Sequence, residues 1–369
     1  MLFKGTSQKS SLDIVKLIEG LGGSFDAYTT KENIIIVTKF LSEHIARVFN
    51  LIAEILLESK IAQEDLIKEK SVILEEIKSN IEDPGDYVFD LFFQALYHNH
   101  SMGLPITGTE ESLKSIDAEK TKAHYQELIK RKLVIAVSGN FDYGEVFHLA
   151  KKNLGHLGVH MVRRVKPEDH YGRLTVQRRN EISQVHCVFG IPGVAYRSPL
   201  RYRFSILNTA FGGGMSSRLF QALREQEGLV YNVQSFIDLY SDCGVSGFYF
   251  VCDKNSLKSV AKQLRIIFSD IHKKGFKKEE IELAKTYLSG NLLLSLENSS
   301  TRMLRLGREM SYLQRVSAID NIIKQIRTID EEDINELISD YLDLKKYTIA
   351  AIGPVHEKEI DDIFRSIEI

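Results

Sequence analysis

The chain has 369 residues, 43% of them hydrophobic, enough for two domains with a core each, so a disordered or fibrous protein is excluded. Its 48 Lys and Arg nearly balance 50 Asp and Glu with no long block of one sign, which removes the case for nucleic acid or an anionic membrane as main partner. The three cysteines, Cys187, Cys243 and Cys252, lack C-x-x-C spacing and so suggest neither a disulfide framework nor a thiolate zinc site, and no apolar run reaches the roughly 18–20 residues of a membrane span.

The first residues do not have the form of a signal peptide, and the composition permits a cytoplasmic protein. A strand is expected at Ile34-Ile35-Ile36-Val37. Leu41, Ile45, Val48, Phe49, Ile52, Ile55 and Leu56 then recur at helical spacing, with Ser42 placed to cap the helix. A second helix is expected over residues 63–80, ended by Asp83-Pro84-Gly85. Glu69 and Glu76 lie seven residues apart on it, on one face and two turns apart, beside Leu66, Ile73 and Ile77, while Glu75 points off that stripe. Two carboxylates bordering an apolar stripe need either a positive partner, such as a metal ion, or solvation at the helix edge beside Lys68, Lys70 and Lys78. His98 and His100 in a loop near Gly103, and Glu43-His44 at a helix start, do not supply the paired helical histidines of a catalytic zinc site.

Self-similarity at long range organises the rest. Ser115-Ile116-Asp117-Ala118-Glu119, Tyr125 and the segment 132–139 have a second version in Thr328-Ile329-Asp330-Glu331-Glu332, Tyr341 and the segment 346–353, offset by about 213–216 residues. Both versions run from a polar helix into a short apolar strand that ends at glycine. The strand at 34–37 with its two following helices pairs likewise with Phe248-Tyr249-Phe250-Val251 and the helices after it. Two homologous α+β domains are therefore expected, each a mixed sheet with helices packed on it. The first spans 1–158, a polar linker spans 159–173, and the second spans 174–369. The second copy opens with the strand Val185-His186-Cys187-Val188-Phe189, the turn at Pro192-Gly193 and a helix running into Gly212-Gly213-Gly214-Met215-Ser216-Ser217. Subtracting the offset sets the start of the first copy roughly 40 residues ahead of Met1, so a longer natural chain, or another chain covering the gap, is expected.

In this order the motifs resemble those of the family that includes insulin-degrading enzymes, pitrilysin, bacterial zinc proteases and the mitochondrial processing peptidase. Met1-Leu2-Phe3-Lys4-Gly5-Thr6 is similar to the residues directly after the inverted zinc motif H-x-x-E-H, whose second histidine would precede Met1. The likeness continues through Gly22-Gly23-Ser24-Phe25-Asp26-Ala27-Tyr28-Thr29, the Glu69 and Glu76 helix with Asp83-Pro84, and the stretch from Gly103 to Gly108. In the second half it covers the glycine-rich 212–220 stretch and Leu223-Arg224 through Gly228 to Tyr231.

The resemblance implies a zinc-dependent endopeptidase acting on peptides or unfolded polypeptides, closing as a homodimer or heterodimer, with no nucleic acid and no membrane span. It implies that Glu76 is the third zinc ligand, Glu69 a supporting carboxylate, and Arg224 and Tyr231 contacts to the substrate. It also implies that the strand at 23–29 receives the substrate as an added strand, through the backbone at Ala27 and a side-chain contact at Asp26, where the family usually has asparagine. No H-x-x-E-H or H-E-x-x-H occurs in the sequence. Taken literally, the chain lacks both zinc histidines and the motif glutamate, so poor zinc binding and no peptidase activity are expected of it. The other class of protein consistent with this is a non-catalytic subunit or degenerate fragment of the same family.

Overall fold

A computed structural model describes residues 1–157 and 164–364. Its first half contains α1 (Ser11–Gly20), β1 (Ser24–Thr29), β2 (Ile34–Lys39), α2 (Ile45–Leu57), α3 (Gln63–Glu82), α4 (Pro84–Leu96), α5 (Glu110–Lys114), α6 (Ala118–Leu128) and α7 (Tyr143–Leu154). There follow β3 (Leu174–Arg178), β4 (Gln184–Gly193), α8 (Arg201–Gly212), α9 (Arg218–Phe220), β5 (Asn232–Leu239), β6 (Gly244–Asp253), α10 (Leu257–Lys274), α11 (Lys278–Ser295) and α12 (Ser299–Leu313). Next come α13 (Ile319–Thr328), α14 (Glu331–Asn335), α15 (Ile338–Tyr341), β7 (Thr348–Gly353) and α16 (Glu357–Phe364). These elements form two compact units, one of Met1–Ser79, Ile106–Val165 and Ser295–Ser311, the other of Asn80–Pro105, Lys166–Leu294 and Tyr312–Ile369. Of the linker expected at 159–173, residues 159–163 lie outside the described residues, and 164–173 form neither helix nor strand.

The second unit is built on a five-stranded sheet in the order β3-β7-β4-β6-β5, with β3 parallel to β7 and the remaining pairs antiparallel. Side chains alternate across its faces. Phe189, Phe248 and Phe250 join a core with Phe204 and Phe211 of α8 and Phe268 of α10. On the other face Val188, Tyr249, Val251, Ala350 and Ile352 meet Val88, Phe92, Phe93 and Leu96 of α4. Asp83 starts α4 by accepting the N–H groups of Gly85 and Asp86 at 2.7 and 3.3 Å, with Pro84 as first helical residue. Gly190 is required by this packing, because a Cβ there would stand 2.5 Å from the Phe92 ring.

In the first unit β1 and β2 form an antiparallel hairpin, in register from Ser24↔Lys39 to Thr29↔Ile34. Leu51 and Ile55 of α2 pack with Ile14 of α1 and with Leu2 and Phe3. The helix expected over 63–80 is α3, which runs on to Glu82. Ser42 does not cap α2: it opens a short 3-10 turn, Ser42–His44, and α2 begins at Ile45 without a side-chain cap.

The strand expected at 132–139 is a correction, for these residues enter no ladder among the described residues. The physical reason lies in its counterpart. Strand β7 is hydrogen-bonded on one side to β3 and on the other to β4, which satisfies both of its edges. The segment has a strand's composition, but its backbone groups find no ladder partner among the described residues. Leu133 and Ile135 are accordingly 43% and 42% exposed, whereas their counterparts Tyr347 and Ile349 are 2% and 3% exposed.

One face of this segment is nevertheless covered. Lys132 Nζ donates to the carbonyls of Met310 and Ser311 at 3.4 and 3.5 Å, and a Cβ on Gly307 of α12 would lie 3.6 Å from Ala136 Cβ. The helix α12 belongs to the second copy and α4, its equivalent by the offset, to the first. Each compact unit thus contains the corresponding helix of the other repeat.

Two truncations test this asymmetry. Ile349→Ala is expected to cost about 2–5 kcal/mol as a full core deletion, and Ile135→Ala less than about 1 kcal/mol. Urea unfolding of both variants measures it, and equal losses would show that 132–139 is packed as tightly as β7.

Candidate functional site

Residues 1–10 are fastened between α2 and α3. Thr6, fully buried, donates its hydroxyl to Glu54 Oε1 at 2.5 Å, and Lys9 Nζ meets Glu54 Oε2 at 2.5 Å. The backbone adds Thr6 N–H to the Lys9 carbonyl at 2.9 Å and Lys60 N–H to the Gly5 carbonyl at 3.1 Å. Lys4 Nζ then reaches Glu69 Oε1 at 2.5 Å, with the Glu69 side chain 19% exposed. Burial lowers the basicity of the Met1 amino group, partly offset by the negative charge of Glu69. Glu69 is therefore the half-buried carboxylate of α3, satisfied by the cations of the N-terminal segment. Glu76, two turns on, is exposed and makes no ion pair or hydrogen bond among the described residues. Leu66 and Ile77 bury the stripe beside them, and Glu75 pairs with Lys78 at 2.7 Å on the solvent side.

Asp26 and Ala27 lie on β1, whose only ladder partner among the described residues is β2, so its other edge is open. Both residues are exposed, and the Asp26 carboxylate accepts the Ala27 N–H at 2.8 Å.

Arg224 and Tyr231 belong to the second unit. After α9 the chain continues as a π-helix, Gln221–Gln226, and Arg224 lies on its exposed side with its guanidinium 5.0 Å from the Phe220 ring centroid. Stacking of this kind leaves the in-plane N–H donors of the guanidinium available to a ligand. Tyr231 is fastened by its backbone N–H to the Val251 carbonyl at 2.8 Å, while its side chain is 75% exposed. π-turns of this sort recur at functional sites because they displace a side chain from the regular helical path.

A residue that spacing does not single out holds this region. Arg218, at the start of α9, forks onto Glu280 at 2.7 and 2.8 Å, reaches Asp270 at 3.1 Å and donates to the Gly275 carbonyl at 2.8 Å. Its partners lie 62, 52 and 57 residues away, so no local pattern announces them. Burial alone would raise the Glu280 carboxyl, but the hydrogen bonds from Arg218 and the Lys277 N–H hold it below its ordinary value.

The residues present do not assemble a zinc site: no three His, Cys, Asp or Glu side chains converge to hold a metal among the described residues. His100 instead accepts the Met102 N–H through Nδ1 at 3.2 Å, and His44 stands 3.7 Å from its neighbour Glu43. Glu69 and Glu76 are one carboxylate engaged with lysine and one open to a cation.

A duplicated α+β domain with an open strand edge and a two-carboxylate helix is the tandem architecture of a peptidase family. Residues 1–110 match the family model described as insulinase (peptidase family M16), and residues 115–288 the model described as peptidase M16 inactive domain. An uncharacterized zinc protease of Bacillus subtilis is 33% identical over 361 residues, spanning 96% of this chain and 86% of the relative. One from Mycobacterium leprae is 32% identical over 368 residues, spanning 97% and 82%. The chain belongs to the insulinase family of peptidases, M16.

Solved structures show the same fold. The peptidase M16 inactive domain from Pseudomonas fluorescens superposes with a TM-score of 0.85 at 20% identity, covering 96% of this chain and 87% of that one. A protease from Helicobacter pylori gives 0.83 at 17% identity with the same coverage, and a chain of complex III2 from Candida albicans gives 0.76 at 17% identity, covering 98% and 92%. No described helix is long and apolar enough to cross a membrane.

The Arg218 cluster has a pH signature. With the Glu280 carboxyl held low in the folded state, its stabilisation is present above the ordinary carboxylate range and is lost as pH falls through the folded-state value. Glu280→Gln is expected to flatten the loss of stability on acidification between about pH 5 and 3, as followed by thermal melts across that range; an unchanged acid profile would count against this coupling.

Proposed function

We propose that the chain forms the substrate-binding body of a zinc-dependent endopeptidase for peptides or unfolded polypeptides. Lys4 pairs with Glu69 on α3, which carries this reading. The N-terminal segment is thereby held against α3, the helix that bears Glu69 and Glu76. Each remaining part has a task that its chemistry suits. The open edge of β1 offers backbone donors and acceptors to an extended peptide regardless of sequence. Arg224 and Tyr231 offer exposed donors to substrate carbonyls. Glu76 offers an uncommitted carboxylate to a cation, and Glu69, fixed by Lys4, supports it. No hydrolytic step is assigned to this chain, because one carboxylate does not make a catalytic metal centre.

A second reading, a non-catalytic partner in a two-chain assembly, is favoured by the match of residues 115–288 to the model described as peptidase M16 inactive domain. Both readings include a dimer of this chain with itself or with a family member, and the occurrence of the fold in complex III2 supports such pairing.

A chimera separates the two. Fusing ahead of Met1 a segment of about 40 residues that ends in H-x-x-E-H is expected to confer zinc binding and cleavage of unfolded casein, while the unfused chain binds casein and leaves it intact. In the chimera Glu69→Gln should weaken zinc binding about 10–100-fold, and Glu76→Gln should abolish zinc retention in dialysis. Full activity of the Glu76→Gln chimera would refute the ligand assignment, and an inactive, zinc-free but folded chimera would favour the non-catalytic partner. Sedimentation at micromolar concentration tests the assembly: a dimer mass is expected, alone or with the Bacillus relative, and a monomer in both mixtures would overturn it.

A further inference from the structure

The open edge of β1 carries a charge of its own. Thr30 N–H donates to the Asn33 carbonyl at 2.8 Å, which makes this pair the hydrogen-bonded one that closes the hairpin. Antiparallel ladders alternate, so Tyr28↔Ile35 and Asp26↔Val37 are also hydrogen-bonded pairs, and Phe25, Ala27 and Thr29 turn their N–H and C=O groups outward. The Ala27 N–H is the central donor of that edge, and it is taken at 2.8 Å by the carboxylate of Asp26. Asp26 makes no ion pair among the described residues. The cation nearest in register, Lys39 of β2, pairs with Ser24 and stands diagonally from Asp26, away from the open edge.

A strand that adds to β1 must take the Ala27 N–H, and the carboxylate it displaces then stands beside the incoming residue opposite Asp26, at a cross-strand Cβ separation of about 5 Å. A lysine or arginine at that position receives the released carboxylate and compensates the hydrogen bond it gives up. A glutamate or aspartate there is repelled, and a neutral residue leaves the charge unpaired. We propose that Asp26 makes the β1 edge selective for extended, basic segments of unfolded polypeptide, with Lys or Arg in the place opposite it. The inference rests on the strand-edge reading of β1 given above and adds to it the class of substrate. Its physical basis is the carboxylate itself: an asparagine in the same place could accept the same N–H but would not discriminate by charge.

The test uses the full chain and three short fluorescein-labelled peptides of Ser, Thr and Val that differ only in a central Lys, Gln or Glu, titrated by fluorescence anisotropy. The wild-type chain is expected to bind the Lys peptide about five- to tenfold more tightly than the Glu peptide, with the difference shrinking in high salt. In Asp26→Asn the three affinities should converge to within about twofold, chiefly because the Glu peptide gains. Ala27→Pro, which deletes the outward donor at an edge position where proline is tolerated, should abolish binding of all three while leaving the circular dichroism spectrum unchanged. Equal affinities in the wild type, or an undiminished Lys preference in Asp26→Asn, would overturn the charge selectivity and leave strand addition standing. Binding that survives Ala27→Pro, or none of the peptides binding the wild type or Asp26→Asn, would overturn strand addition at β1 together with this inference.

Discussion

A central strand must satisfy its N–H and C=O groups on both edges, and this constraint decides how each half of the molecule is built. In the second unit β7 meets it, lying between β3 and β4, and the consequences spread outward. Its side chains alternate between the core with α8 and α10 and the face under α4, and Gly190 lets the Phe92 ring approach the neighbouring strand. In the first unit the equivalent segment has a similar apolar run and, among the described residues, no strand beside it. Its side chains remain half exposed where their counterparts are buried, although α12 lies over it as α4 lies over β7.

Much of the architecture was legible in the amino-acid order because it rests on local periodicity. The period of 3.6 along α2 and α3, the Asp-Pro-Gly stop after α3 and the short apolar runs of β2, β4 and β6 are properties of neighbouring residues. The failure at 132–139 marks the limit of such reasoning. Composition specifies which backbone conformation a segment prefers, but a strand is completed only by its partners, and partners are a non-local matter. The same holds for Ser42, whose identity suits a cap while the chain around it tightens into a 3-10 turn first.

The candidate site divides along the same line. Helical spacing put Glu69 and Glu76 on one face of α3, yet only the folded N-terminal segment shows why they differ, one held by Lys4 and the other open to solvent. The π-helical turn that presents Arg224 follows no apolar period, and the fork of Arg218 onto Glu280 and its reach to Asp270 are made across more than fifty residues of chain. The Asp26 carboxylate on the neighbouring N–H is a local contact, legible in principle, but its meaning depends on which edge of β1 is open.

The reciprocal placement of α4 and α12 has a consequence for the making of the chain. During synthesis the first hundred and sixty or so residues emerge together, but the helix that covers their 132–136 segment is encoded at Ser299–Leu313, in the other repeat. Neither unit can be completed from its own repeat alone. The helix covering the 132–136 segment is thus encoded more than a hundred and fifty residues later in the chain, so this contact requires closure of a long loop. Cutting the gene at the repeat boundary would yield two fragments that each lack a covering helix and carry one for the other, so they should recover their structure only when mixed.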